Sequence, residues 1–135
     1  MNKIFLDSNI LIYLYTSDEI KKTTVIKKLL NEHDNVLIST QVLFEFSYVG
    51  LRKLKLNHHN IEKALIECSK AFEIVTITYE MLCSALKISS KYNYSFPDSL
   101  IIATAMASEC ALLISEDMHN NHTIENKLKI INPFN

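Results

Sequence analysis

The sequence predicts an α/β fold built on a short, mostly parallel sheet. Three observations lead there: short apolar runs alternate with longer stretches of helical periodicity, the order strand then helix is set within the first residues, and acids fall where apolar runs end or helices begin. At 135 residues the chain is expected to form one domain, 1–135, with a core that needs neither disulfides nor a metal to fold.

Ile4, Phe5 and Leu6 read as a buried strand, and Asp7-Ser8 caps a helix expected to run through Tyr15. Ser17 or Asp18 caps a second helix, with Ile20, Val25, Ile26, Leu29 and Leu30 apolar and Lys21, Lys22, Lys27 and Lys28 on the remaining surface. A strand at 36–39 passes through Thr40, a fair N-cap, into a helix that carries Glu45 and continues to about Lys55. Asn57 or Asn60 begins the next helix, 73–77 alternates toward a strand, and Thr78 caps a helix to about Tyr92. After a polar-aromatic loop, Pro97 favours the first helical position, because its missing N–H costs nothing there. The following stretch, 100–107, is apolar nearly all round and should be buried. Residues 111–115 form a fourth strand, 119–127 an irregular segment, and 128–131 a fifth strand. Such alternation covers a parallel sheet on both faces and gathers functional groups outside the carboxyl ends of its strands.

Composition excludes several classes. Fourteen basic and fifteen acidic residues give a net charge of -1, so there is no global attraction to phosphate, and a nucleic-acid binder must concentrate its cations on one face. Arg52, Lys53 and Lys55 form one such cluster. A single glycine, Gly50, excludes glycine-rich phosphate loops. Cys68, Cys83 and Cys110 are odd in number and lack a C-x-x-C pair, which predicts reduced core thiols in a cytoplasmic protein. Asp7 interrupts the N-terminal apolar stretch before it reaches the length of a signal-peptide core, and no segment is long enough to span a bilayer.

Four carboxylates remain. Asp7 follows the first strand, Glu45 lies among apolar residues on its helix, Asp98 stands in the first turn after Pro97, and Asp117 follows the fourth strand. Each has a structural alternative: a cap for Asp7, the helix dipole for Asp98, an edge salt bridge for Glu45, a surface turn shared with Glu116 for Asp117. Taken together in one pocket they would repel, and would be partly protonated or would hold a cation. A hard divalent ion, Mg²⁺ or Mn²⁺, suits oxygen ligands and phosphate, and the chemistry expected of it is phosphodiester hydrolysis by an activated water.

The blocks Phe5-Leu6-Asp7-Ser8-Asn9-Ile10-Leu11, Ser39-Thr40-Gln41-Val42-Leu43-Phe44-Glu45-Phe46, Phe96-Pro97-Asp98-Ser99-Leu100-Ile101 and Leu113-Ile114-Ser115-Glu116-Asp117-Met118 resemble the four signature blocks of PIN-domain nucleases. Nearly the whole chain takes part, and the small VapC toxins of type II toxin–antitoxin modules are the members it most resembles. The resemblance implies a three-layer α/β/α fold and a metal-dependent endoribonuclease in which Asp7, Glu45, Asp98 and Asp117 bind Mg²⁺ or Mn²⁺. It also implies Ser8, Asn9 and Ser115 as supporting residues, a homodimer, and a cognate antitoxin whose tail blocks the acidic site. Glu116 is a further candidate beside Asp117. His119 and His122 add two imidazoles near Asp117, weak evidence for a metal site without Cys or carboxylate partners at zinc spacing, and His58-His59 is weaker still.

Other acid-bearing α/β classes fit less well. A phosphoacceptor receiver domain needs adjacent acids after its first strand, and a haloacid-dehalogenase-like phosphatase needs Asp-x-Asp, whereas position 9 is Asn. The alternative of another kind is a non-catalytic PIN-like module that binds RNA or protein, against which the presence of all four acids argues.

Overall fold

The computed structural model describes residues 2–135. Its elements are β1 (Lys3–Leu6), α1 (Ser8–Ile12), α2 (Ile20–Asn31), β2 (Asn35–Ser39), α3 (Thr40–Arg52), α4 (His58–Ala71), β3 (Glu73–Val75), α5 (Tyr79–Tyr92), α6 (Phe96–Ala107), β4 (Leu112–Ile114), β5 (Thr123–Ile124) and β6 (Leu128–Ile131). They form one six-stranded sheet in the order β3-β2-β1-β4-β6-β5. All neighbours are parallel except β5, which runs antiparallel to β6.

The chain winds outward from β1 to β2 to β3, then crosses back to β4 on the other side of β1. Right-handed crossovers therefore put the helices between β1 and β3 on one face and α5 with α6 on the other, giving three layers, α/β/α. The central strand β1 lies deep in the core, with Ile4, Phe5 and Leu6 fully inaccessible. Helix α6 buries seven consecutive residues, Ser99 to Ala105, as its all-round apolar character demands. The reversal of winding between β1 and β4 creates a switch point, and the carboxyl ends of β1, β2 and β4 open there.

Several boundaries depart from the sequence-based expectation. Helix α1 stops at Ile12, because Leu14 and Tyr15 close tight turns onto Leu11 and Ile12 instead of continuing. Neither Ser17 nor Asp18 caps α2: Glu19 takes the N-cap position without a side-chain hydrogen bond, and Thr23 Oγ1 donates to the Glu19 and Tyr13 carbonyls. Ile20 and Val25 face solvent. Ser39, not Thr40, caps α3, leaving the Thr40 hydroxyl to accept from Ile77 N. The helix ends at Arg52 and Lys55 lies in the left-handed region at φ 52°. Ser95 caps α6, so Phe96 is first, Pro97 second and Asp98 third in the helix. The expected irregular segment contains β5, and Cys83 is exposed on α5 while Cys68 and Cys110 are buried.

Candidate functional site

Asp7, Ser8, Asn9, Glu45, Asp98 and Asp117 line one cleft of about 250 Å³, together with Phe44, Tyr48 and Val49. Each acid arrives on a different element. Asp7 is the N-cap of α1 directly after β1, Glu45 lies in the second turn of α3, Asp98 in the first turn of α6, and Asp117 three residues past the end of β4. A larger cleft, about 440 Å³, lies elsewhere among Leu14, Leu30, Phe72 and their neighbours; it contains none of the four acids.

Asp7 is the electrostatic centre. It is 4 % exposed, and its carboxylate accepts from Ser8 N at 2.7 Å, from the Ser115 hydroxyl at 2.7 Å and from Asn9 Nδ2 at 3.4 Å. Burial nevertheless raises its pKa to about 6 against those hydrogen bonds, and the charges of Asp98 and Glu45 push the same way. Asp98 is also shifted upward, by half-burial first and by the charge of Asp117, with Ser95 opposing. Asn9 ties the set together: its Nδ2 donates to Asp117 at 3.0 Å as well as to Asp7, and its Oδ1 accepts from Glu116 N. Glu45 is oriented by Gln41, whose Nε2 donates to Glu45 Oε2 at 3.2 Å and to the Pro97 carbonyl at 2.9 Å, linking α3 to the start of α6.

No lysine, arginine or histidine lines this cleft, so the mutual repulsion of the acids has no side-chain counterion among its lining residues. A hard, oxygen-seeking cation fits that donor set. Among the described residues no three His, Cys, Asp or Glu side chains converge into a ready-made cage. An open set of acids suits an ion that keeps several waters and takes only one or two carboxylates directly, the habit of Mg²⁺.

The other candidate residues divide. Ser8, Asn9 and Ser115 contact Asp7, whereas Glu116 turns away from the cleft. Its carboxylate accepts from the Tyr13 hydroxyl at 2.6 Å and from Lys22 Nζ at 2.5 Å. Burial pushes Glu116 upward, but these two bonds outweigh it and hold the carboxyl below the usual range. His122 is anchored by Tyr94, hydroxyl to Nδ1 at 2.8 Å, and His119 packs against Tyr94 with the rings tilted by 50° and their centroids 5.5 Å apart; neither histidine lines the cleft. Arg52, Lys53 and Lys55 are exposed at the far end of α3. Sequence reasoning did not single out Gln41 or the wall made by Phe44 and Tyr48, and it placed Lys22 on a basic helix surface rather than against Glu116. The spacing of Phe44 and Tyr48, four apart and off the Val42–Phe46–Val49 stripe, was the available signal for that wall.

A family model described as PIN domain matches residues 4–122. A comparison with curated proteins finds no match. Among solved structures the chain is similar to one from a toxin–antitoxin complex of Klebsiella pneumoniae, at 23% identity over 97% of this chain and 98% of that one, with a TM-score of 0.74. It is similar to Mycobacterium tuberculosis VapC20, a sarcin-ricin loop cleaving toxin, at 20% identity over 82% and 87%, TM-score 0.69. DNA-bound VapBC from Salmonella typhimurium gives 16% identity over 96% and 97%, TM-score 0.72. At these identities the likeness is one of fold.

Proposed function

The chain belongs to the PIN-domain family, and from that premise we propose that it is a metal-dependent endoribonuclease, the toxin of a type II toxin–antitoxin pair. The observation that carries this reading is the convergence of four acids from four separate elements on one cleft without a counterion in its lining. Asp7, Glu45, Asp98 and Asp117 would hold Mg²⁺ or Mn²⁺. When bound, such an ion supplies activation of water for attack on a phosphodiester and stabilisation of the leaving oxygen.

The remaining residues set the geometry of the acids. Ser115 and the Ser8 amide fix both oxygens of Asp7, Asn9 sets the separation of Asp7 from Asp117, and Gln41 holds Glu45 toward the head of α6. Hydrogen bonds of this kind restrict each carboxylate to one orientation, which is the usual contribution of groups behind the ligands. RNA is the proposed substrate, a cognate antitoxin the proposed protein partner, and a homodimer the proposed assembly. The toxin–antitoxin complexes among the similar structures support the antitoxin. Free thiols support a cytoplasmic setting, and no described helix is long and apolar enough to cross a membrane.

The test is cleavage of total cellular RNA by the purified chain with Mg²⁺, with a chelator, and with Asp98→Asn. Cleavage is expected only in the first condition, with Asp98→Asn keeping its fold by circular dichroism. Equal cutting in chelator would sink the metal mechanism, and the absence of cutting by wild type in Mg²⁺ or Mn²⁺ would favour the binding-module alternative.

A further inference from the structure

We infer that the outer face of α3 is a stacking track for the bases of single-stranded RNA, leading away from the acid cleft. Resting on the ribonuclease reading, the inference adds how the strand is held beside the acids. Phe44 and Tyr48 are unusual among the large apolar and aromatic side chains in being 68 % and 51 % exposed while also lining the cleft. Their rings are nearly parallel, 17° between planes, with centroids 6.1 Å apart. Arg52 continues the row: its guanidinium lies 5.2 Å from the centre of the Tyr48 ring and donates to the Tyr48 hydroxyl.

The three residues are spaced i, i+4, i+8, so they lie along one side of α3 over about 12 Å. The other side of the helix is already used, with Val42, Phe46 and Gly50 buried in the core. Helix α3 starts at the carboxyl end of β2, where the acids gather, so the row begins at Phe44, next to Glu45, and ends in the cation Arg52, with Lys53 and Lys55 exposed just past the end of the helix. That order matches a nucleic-acid strand. A phosphate at the acid cleft needs a divalent ion to neutralise the carboxylates, while phosphates further along meet side-chain cations, and the bases between have two π-faces on which to stack.

Aromatic faces accept every base, so the track predicts tolerance of sequence and demand for unpaired nucleotides. A closed duplex keeps its bases stacked on one another and cannot use the rings.

The experiment measures binding of fluorescent single-stranded and hairpin-duplex RNA in Mg²⁺ to Asp98→Asn protein, which should leave the RNA uncut, with and without Phe44→Ala and Tyr48→Ala. Molecular mass is followed by light scattering on the same samples. Each ring removed is expected to weaken single-strand binding about fivefold or more, with duplex binding unchanged and a Phe44→Trp variant retaining full affinity. Arg52→Ala is expected to reduce the salt dependence, which the ring variants should leave alone. Unchanged affinity in the double alanine variant, or equal loss for duplex and single strand, overturns the track. So does a fall in molecular mass on removing the rings, which would make this face an interface between copies of the chain. Cleavage and binding by wild type with no effect of the rings removes the track alone. Failure of wild type to bind or cut any RNA removes the ribonuclease reading with it.

Discussion

Asp7 carries a titration that can be read in stability. Its pKa is raised to about 6 in the folded protein against an ordinary value of 3.8, so between those values the unfolded chain releases a proton that the folded chain keeps. Stability from this group is therefore full below pH 3.8 and is lost as pH rises through 6. Asp7→Asn stays neutral, so in chelator it should gain on wild type as pH rises from 4 to 7, by up to about 3 kcal/mol. Chemical denaturation of both proteins across that range checks it, and parallel curves would contradict it. Adding Mg²⁺ at pH 7 should stabilise wild type and leave Asp7→Asn nearly unmoved. Residue by residue, the acids were legible because Asp and Glu beside buried apolar runs are costly without a partner. The choice between Glu116 and Asp117 was also legible as a preference, from the alternation of side chains leaving β4. What the sequence did not show was why Glu116 turns aside, because its partners Tyr13 and Lys22 lie on remote segments.

Helix α2 acts on the cleft through that contact. Lys22 reaches from α2 to Glu116, lies 5.0 Å and 5.2 Å from the centres of the Tyr13 and Phe134 rings, and so holds the segment that bears Asp117. Asn132 Nδ2 adds a bond to the Glu116 carbonyl at 3.2 Å. Removing the cation with Lys22→Ala is expected to weaken Mn²⁺ binding to the RNA-free protein severalfold, and Lys22→Arg to restore it; calorimetric titration giving one affinity for all three would refute the link. Where α3 meets α4, Gly50 is buried and a Cβ there would lie 2.6 Å from Ile61 Cδ1. Because that atom is the free end of a flexible side chain, Gly50→Ala should be close to neutral, helix propensity offsetting crowding by about 1 kcal/mol. Gly50→Leu should lose about 1–3 kcal/mol by denaturation. Helices with an apolar stripe were readable in advance, as α4 and α5 were, and α6 was readable from its all-round apolar run behind Pro97. Two adjacent hydroxyls, Ser39 and Thr40, left the α3 cap ambiguous, and β5, two residues long, has no period to detect.

At the scale of the molecule, a net charge of -1 gives no general pull on RNA, so affinity must come from local cations. Replacing Lys53 and Lys55 with alanine is expected to lower the slope of log affinity against log salt by about 1.4 for single-stranded RNA. A slope equal to wild type would place both lysines outside the footprint. The layered α/β/α arrangement was readable from alternation alone, whereas strand order was not, since nothing local in the chain says that β4 inserts beside β1. That insertion has a consequence for synthesis. A nascent chain that has already released Asp7, Glu45 and Asp98 still has β1 paired on only one side, to β2. Leu112 to Ile114 must emerge before the second edge closes, and Ser115 and Asp117 come with them. The ribosome therefore completes the cleft last, and a product truncated before residue 112 carries an open sheet edge where the finished protein has its acid site.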